Sequence, residues 1–167
     1  MTARDAFLSA PITTENSVTN DHLNWLEDEA ISILREVFCG FERPAILCSF
    51  GKDSLVVLHL AMKAAAPGKL PLPIVHVDTG HNFPEVITFR EEFVKNHGVQ
   101  LIVGHLDHSI AKGTIRLAHP LESRNPYQTI TLLETIEANG FDALVGGARR
   151  DEEKARAKER IFSHRDS

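Results

Sequence analysis

The stretch Pro44-Ala-Ile-Leu-Cys-Ser-Phe-Gly-Lys-Asp-Ser54 decides the fold. It opens as a short apolar run, passes through a glycine-containing turn, and feeds Ser54-Leu-Val-Val-Leu-His-Leu-Ala-Met62, whose apolar residues form a helical stripe. The unit is strand, tight turn, helix, and it recurs. Pro73-Ile-Val-His-Val-Asp78 reads as a strand ahead of a helix over Phe83 to Asn96, with Val86, Phe89, Phe93 and Val94 on one side. Leu101-Ile-Val103 reads as a third strand, Tyr127 to Ala138 as a helix, and Phe141-Asp-Ala-Leu-Val145 as a strand running into Gly146-Gly147. Upstream, Leu23, Leu26, Ala30, Ile33, Leu34 and Val37 predict a helix from an Asn20 cap to Gly40. Strands alternating with helices predict an α/β domain: a parallel twisted sheet, helices on both faces, right-handed crossovers, and ligands beyond the C-terminal ends of the strands.

The 167 residues suit one core, with residues 1–19 as a flexible or partner-bound leader and 20–167 as a single α/β domain. Residues 106–126 lack periodicity, and a loop of that length in a compact domain is functional or disordered. A composition of 43% hydrophobic and 25% charged residues is that of a globular protein, and a net charge of −5 argues against a surface coated for nucleic acid. Cys39 and Cys48 are too few for a disulfide framework, a CxxC pair, or a four-cysteine zinc or iron–sulfur site. No apolar run approaches the roughly 20 residues of a membrane span, so the expectation is a cytoplasmic protein with neither membrane nor nucleic acid as partner.

Chemistry concentrates at three places. At Ser49-Phe-Gly-Lys-Asp-Ser54, Gly51 permits a tight backbone, the amides of the new helix face outward, and Lys52 adds positive charge, as a phosphate site requires; the alternative is an ordinary turn with Asp53 as N-cap. It is not a Walker A loop, because Ile46 stands where the first glycine belongs and Asp53 where the hydroxyl residue belongs, and GxGxxG is absent. Asp78, at the end of the second strand, suits contact with ribose or adenine, a role beside Mg²⁺, or a helix cap. Gly146 and Gly147 allow close backbone approach ahead of the fixed charges of Arg149 and Arg150, although residues 149–165 also read as a solvated helix of mixed charge. His105 and His108 form an HxxH pair near His76, His81, His97 and His119 without a third ligand at recognisable spacing, so zinc is not expected. Trp25, Phe89 and Phe93 fit helical core faces.

The hexapeptide resembles the Ser-Gly-Gly-x-Asp-Ser loop of the ATP pyrophosphatase superfamily, with Phe50 in place of the first glycine. The stretch His76-Val-Asp-Thr-Gly-His-Asn-Phe-Pro84, followed by Phe89-Arg-Glu-Glu92, is similar to the branch holding phosphoadenylyl-sulfate reductases and the small, ATP-binding subunit of sulfate adenylyltransferase. Gly146-Gly-Ala-Arg-Arg-Asp-Glu-Glu-Lys154, continuing to Arg160, resembles the latter, and the likeness spans residues 20 to 166. This resemblance implies adenylyl transfer from ATP to sulfate, with ATP cleaved between its α and β phosphates and a large GTPase subunit as partner. It also implies a nucleotide site of Ser49, Phe50, Gly51, Lys52, Asp53, Ser54, Asp78, Gly146 and Gly147, with Lys52, Arg149 and Arg150 as the catalytic cations and Asp53 toward Mg²⁺. The family runs on past the Arg-Arg-Asp-Glu-Glu helix, whereas this sequence stops at Ser167. The rival readings are a reductase of adenylyl sulfate or its phosphorylated form, which needs a nucleophilic cysteine that Cys39 and Cys48 do not suit, and a catalytically inactive nucleotide-binding subunit.

Overall fold

A computed structural model describes residues 14–119, 121–147 and 161–164. Helix α1 spans Thr14–Gly40, β1 Pro44–Leu47, α2 Lys52–Ala65, β2 Ile74–Asp78, α3 Pro84–His97, β3 Leu101–His105 and α4 Leu106–Lys112. A 3₁₀ turn at Asn125–Tyr127 leads into α5, Gln128–Asn139, and then β4, Ala143–Val145. The four strands are parallel in the order β3-β2-β1-β4.

Several boundaries differ from the sequence reading. Helix α1 begins at Thr14, inside the stretch expected to be a flexible leader. The segment expected to be a loop from residue 106 opens with α4, a helix too short for its periodicity to register. Strand β1 ends at Leu47, and Cys48 follows it, although its amide still donates to the Val75 carbonyl at 2.9 Å.

Register fixes the two faces of the sheet. Ile46 lies opposite Ile74 and Val145, and Ile74 opposite Leu101, so these share a face with Leu34 and Val37 of α1, Leu58, Ala61 and Ala64 of α2, and Val86 and Phe93 of α3. Burying a side chain such as Ile46, Leu58 or Ile74 contributes about 1.5–3 kcal/mol. Val77 lies opposite Gly104 on the other face, where α5 brings Thr131 and Thr135 against the Gly104 backbone. The strand run Pro-Ala-Ile-Leu is apolar throughout because both faces are covered.

The carboxylate of Asp142 accepts the amides of Glu42 at 2.8 Å and Arg43 at 2.9 Å, joining the chain that enters β4 to the chain that enters β1. Trp25 and Phe89 were expected in core faces, but they are 58% and 43% exposed. Helical spacing places a residue on a stripe without saying how far the neighbouring element extends over it. Among the described residues no helix is long and apolar enough to cross a membrane.

Candidate active site

The chain runs from β1 outward to β2 and β3, then returns to place β4 on the other side of β1. The strand order therefore reverses between β1 and β4, and the crevice at such a switch point is where open α/β sheets take ligands. The Ser49–Ser54 loop leaves β1 there, and Gly146-Gly147 leave β4 beside it. Contact is close: a Cβ built on Gly147 would lie 2.8 Å from Val57 Cγ2 and 3.6 Å from the Asp53 carbonyl oxygen, both on α2.

The loop is braced from within. Ser54 Oγ donates to the Gly51 carbonyl at 3.0 Å and lies 3.2 Å from Ser49 Oγ, which accepts the Gly51 amide at 3.4 Å. Gly51 occupies the N-cap of α2 with no side-chain cap, and Asp53 sits in the first turn, so the alternative reading of Asp53 as the N-cap is not found. The first amides of α2 have no carbonyl one turn behind them within the helix, and the helix dipole adds partial positive charge there. Lys52 and Asp53 pair at 2.8 Å with side chains 89% and 75% exposed, an arrangement worth little to stability and free to rearrange around an anion.

The backbone strain lies one residue from where the sequence suggested. Gly51 has an ordinary φ of −80°, and a Cβ added to it would meet only Ser49 Oγ, at 3.5 Å. Phe50 takes the left-handed conformation, at φ 60°. Its ring is buried, with centroids 5.6 Å from His76, 6.3 Å from Phe89 and 6.1 Å from Phe93. Beneath the loop, the Cys48 sulfur accepts the Phe50 amide at 3.4 Å and lies 3.6 Å from Ser54 Oγ. Burial pushes the Cys48 thiol up, against its hydrogen bonds with Ser54 and Phe50, so it is a poor nucleophile.

A second cluster forms at the end of β2. Asp78 Oδ1 accepts the Gly80 amide at 2.8 Å and Asn82 Nδ2 at 2.9 Å, while Arg90 Nη1 lies 3.6 Å from Oδ2. Burial raises the Asp78 pKa, but the bonds from Gly80 and Asn82 and the charge of Arg90 outweigh it and leave the carboxyl below its usual range. Arg90 is 6% exposed; its Nε and Nη2 bond Glu91, and its Nη1 has no hydrogen-bond partner. His76 Nδ1 lies 3.0 Å from the Cys48 carbonyl, and its buried Nε2 is unpartnered. His105 faces Asp78 at 4.0 Å.

Ser49 to Ser54 and Gly146-Gly147 thus share one crevice, and Asp78 caps a turn at the adjoining strand. Arg149 and Arg150 lie outside the described residues. Arg90, Asn82 and Arg124 were missed by sequence reasoning. Arg90 carries a faint signal, a charged residue one turn after Val86 and just before Phe93 on an otherwise apolar helix side. Arg124 carries none. Among the described residues no three His, Cys, Asp or Glu side chains gather as a metal-binding group.

The sequence profile of the phosphoadenosine phosphosulfate reductase domain matches residues 43–167. The chain belongs to that family. Within it, the chain is 59% identical to sulfate adenylyltransferase subunit 2 of Mycobacterium tuberculosis over 145 residues, 87% of this chain and 46% of that protein. The subunit 2 proteins of Mycolicibacterium vanbaalenii and Mycobacterium sp. (strain KMS) are 59% and 60% identical over the same shares. The chain therefore spans about half the length of the curated relatives it matches. A crystal structure of a phosphoadenylyl-sulfate reductase from Candida auris, in complex with phosphate, shares the fold at a TM-score of 0.53 and 19% identity, covering 81% of this chain and 68% of that one. A U34-tRNA thiolase from Methanococcus maripaludis does so at 0.51 and 17%, covering 75% and 46%.

Proposed function

We propose that this site transfers the adenylyl group of ATP to sulfate, releasing pyrophosphate. The observation that carries the reading is the meeting of the Ser49–Ser54 loop with Gly146-Gly147 at the reversal of strand order. The names of the relatives supply the substrate class. A sulfate oxygen attacks the α phosphorus in line, the new P–O bond forms, and the electron pair of the broken bond leaves with pyrophosphate. Sulfate is already an anion, so no protein base is needed. Catalysis is then positioning and charge neutralisation.

In this reading the amides that open α2, with Ser49 and Ser54, hold the departing pyrophosphate, and Lys52 screens its charge. Gly146 and Gly147 let backbone approach the nucleotide, Asp78 and its turn form the neighbouring wall, and Arg149 and Arg150 clamp the anions. A single exposed carboxylate beside a phosphate loop fits Mg²⁺, which takes few protein ligands and completes its shell with phosphate and water. Asp53 would hold it, and the ion would supply further charge neutralisation. A large GTPase subunit is the proposed partner, and the cytoplasm the proposed location.

The test uses molybdate, whose mixed anhydride with AMP hydrolyses at once. With Mg-ATP, molybdate and the GTPase subunit, the chain should release pyrophosphate continuously, and Asp53→Ala should abolish the release. Sulfite formed from adenylyl sulfate and a reductant, without pyrophosphate, would establish the reductase reading instead. That reading has the family name in its favour, but Cys39 lies exposed on α1 and Cys48 is buried beneath the loop with a raised pKa.

A further inference from the structure

Arg124, which lies between α4 and the 3₁₀ turn, reaches two strand ends at once. Its Nη1 donates to the Thr79 carbonyl at 2.7 Å and to Asp107 Oδ1 at 2.8 Å. Thr79 directly follows β2, and Asp107 stands in the first turn of α4, which follows β3 without a break. One guanidinium nitrogen therefore ties the exits of two adjacent strands together. The Arg124 side chain is 17% exposed, and its buried Nε has no partner. Gly80 lies against it: a Cβ there would come 2.8 Å from Arg124 Nη1 and 3.2 Å from Asp107 Oδ2, at a φ of +75° that side chains rarely adopt. Residue 80 is glycine on both counts.

Thr79 and Gly80 belong to the turn that Asp78 caps, and the His81 amide donates to Thr79 Oγ1 at 3.3 Å. Arg90 holds the Asp78 carboxylate from the protein interior, and Arg124 holds the Thr79 carbonyl from outside. Bonds from a charged donor are shorter and stronger than neutral ones. We propose that Arg124 is a positioning residue for the nucleotide site: it clamps the 78–82 turn against the end of β3 and so sets where Asp78 and the turn amides meet the nucleotide. This rests on the reading of the crevice as a nucleotide site.

The test compares the parent chain with Arg124→Ala, Arg124→Lys and Gly80→Ala. Amide hydrogen exchange is followed without ligand, and KM for ATP and kcat are measured with molybdate and the GTPase subunit. Arg124→Ala should speed exchange over residues 78–82 and raise KM for ATP about tenfold, with kcat within about twofold, because the turn contacts ground state and transition state alike. Exchange in β1 and α2 should stay as in the parent. Arg124→Lys keeps one charged donor and should recover most of both effects; Gly80→Ala displaces the guanidinium and should reproduce the loss. If Arg124→Ala does not fold, Asp107→Ala removes only the outer partner and should give the same changes at about threefold. Unchanged exchange over 78–82 in a folded Arg124→Ala overturns the clamp. Faster exchange with an unchanged KM overturns the positioning role. A parent that neither releases pyrophosphate nor gains protection over residues 49–54 from Mg-ATP overturns the nucleotide reading and the positioning role with it, while the ligand-free exchange still reports the clamp separately.

Discussion

At residue 50 a costly backbone conformation and a well-packed ring oppose each other. A non-glycine residue in the left-handed region costs about 1–2 kcal/mol, while the buried Phe50 ring fills the space among His76, Phe89 and Phe93. Phe50→Gly should therefore destabilise less than Phe50→Ala, by about 1 kcal/mol, although both lose roughly 3 kcal/mol or more of ring burial. Urea denaturation followed by circular dichroism measures both; the reverse order would mean that residue 50 carries no strain. Gly147 gives a second test. In Gly147→Ala the new methyl meets Val57, a stiff β-branched side chain, and pushes the end of β4 away from the Ser49–Ser54 loop. Pyrophosphate release should fall roughly tenfold or more, and the added substitution Val57→Ala should restore most of it. The strand-to-helix turn at the hexapeptide was legible in its residue types, but the left-handed residue was not, since a glycine at 51 draws attention away from a phenylalanine at 50.

At the scale of elements, Asp142 does what a longer strand pairing would otherwise do. Strand β4 has three residues, and the two amides that Asp142 accepts fix its entry beside β1. Asp142→Ala should lower stability by about 1–3 kcal/mol, seen as a shift in the urea midpoint with an unchanged slope, and Asp142→Asn should lose only part of that. An unchanged midpoint in Asp142→Ala would show that β4 is held by its ladder alone. The alternation of strands and helices was readable because each apolar run is short and each helical stripe long. The start of α1 and the existence of α4 were not, since Thr14 to Thr19 lack an apolar stripe and α4 has only two turns' worth of residues.

Across the whole molecule, the site is coupled to pH through a buried imidazole. His76 has a pKa below its ordinary 6.5, chiefly from burial, with the Cys48 carbonyl opposing the shift, Arg90 adding to it, Asp78 opposing and His105 adding. Above the ordinary value both folded and unfolded chains are neutral at this residue, and its full contribution is present. As the pH falls below about 6.5, the unfolded chain takes up a proton before the folded one does, so stability declines until the folded pKa is reached. Melting temperature should drop between about pH 7 and about pH 5, and the slope should be shallower in His76→Asn; parallel slopes would place the proton elsewhere. Asp78, held below its ordinary 3.8, contributes in the opposite part of the scale, losing its stabilising effect only as the pH falls through that lower value. The sequence by itself determined the α/β class, the parallel sheet, the strand-to-helix turn at Ser49–Ser54 and the Gly146-Gly147 strand exit, because these depend on local periodicity and on residue types within a few positions of one another. Only the tertiary structure decided that β4 returns beside β1, that Phe50 holds the strained turn, and that Arg90 and Arg124 grip the Asp78 turn from two sides. Those depend on strand order and on contacts between residues far apart in the chain, which no local pattern encodes.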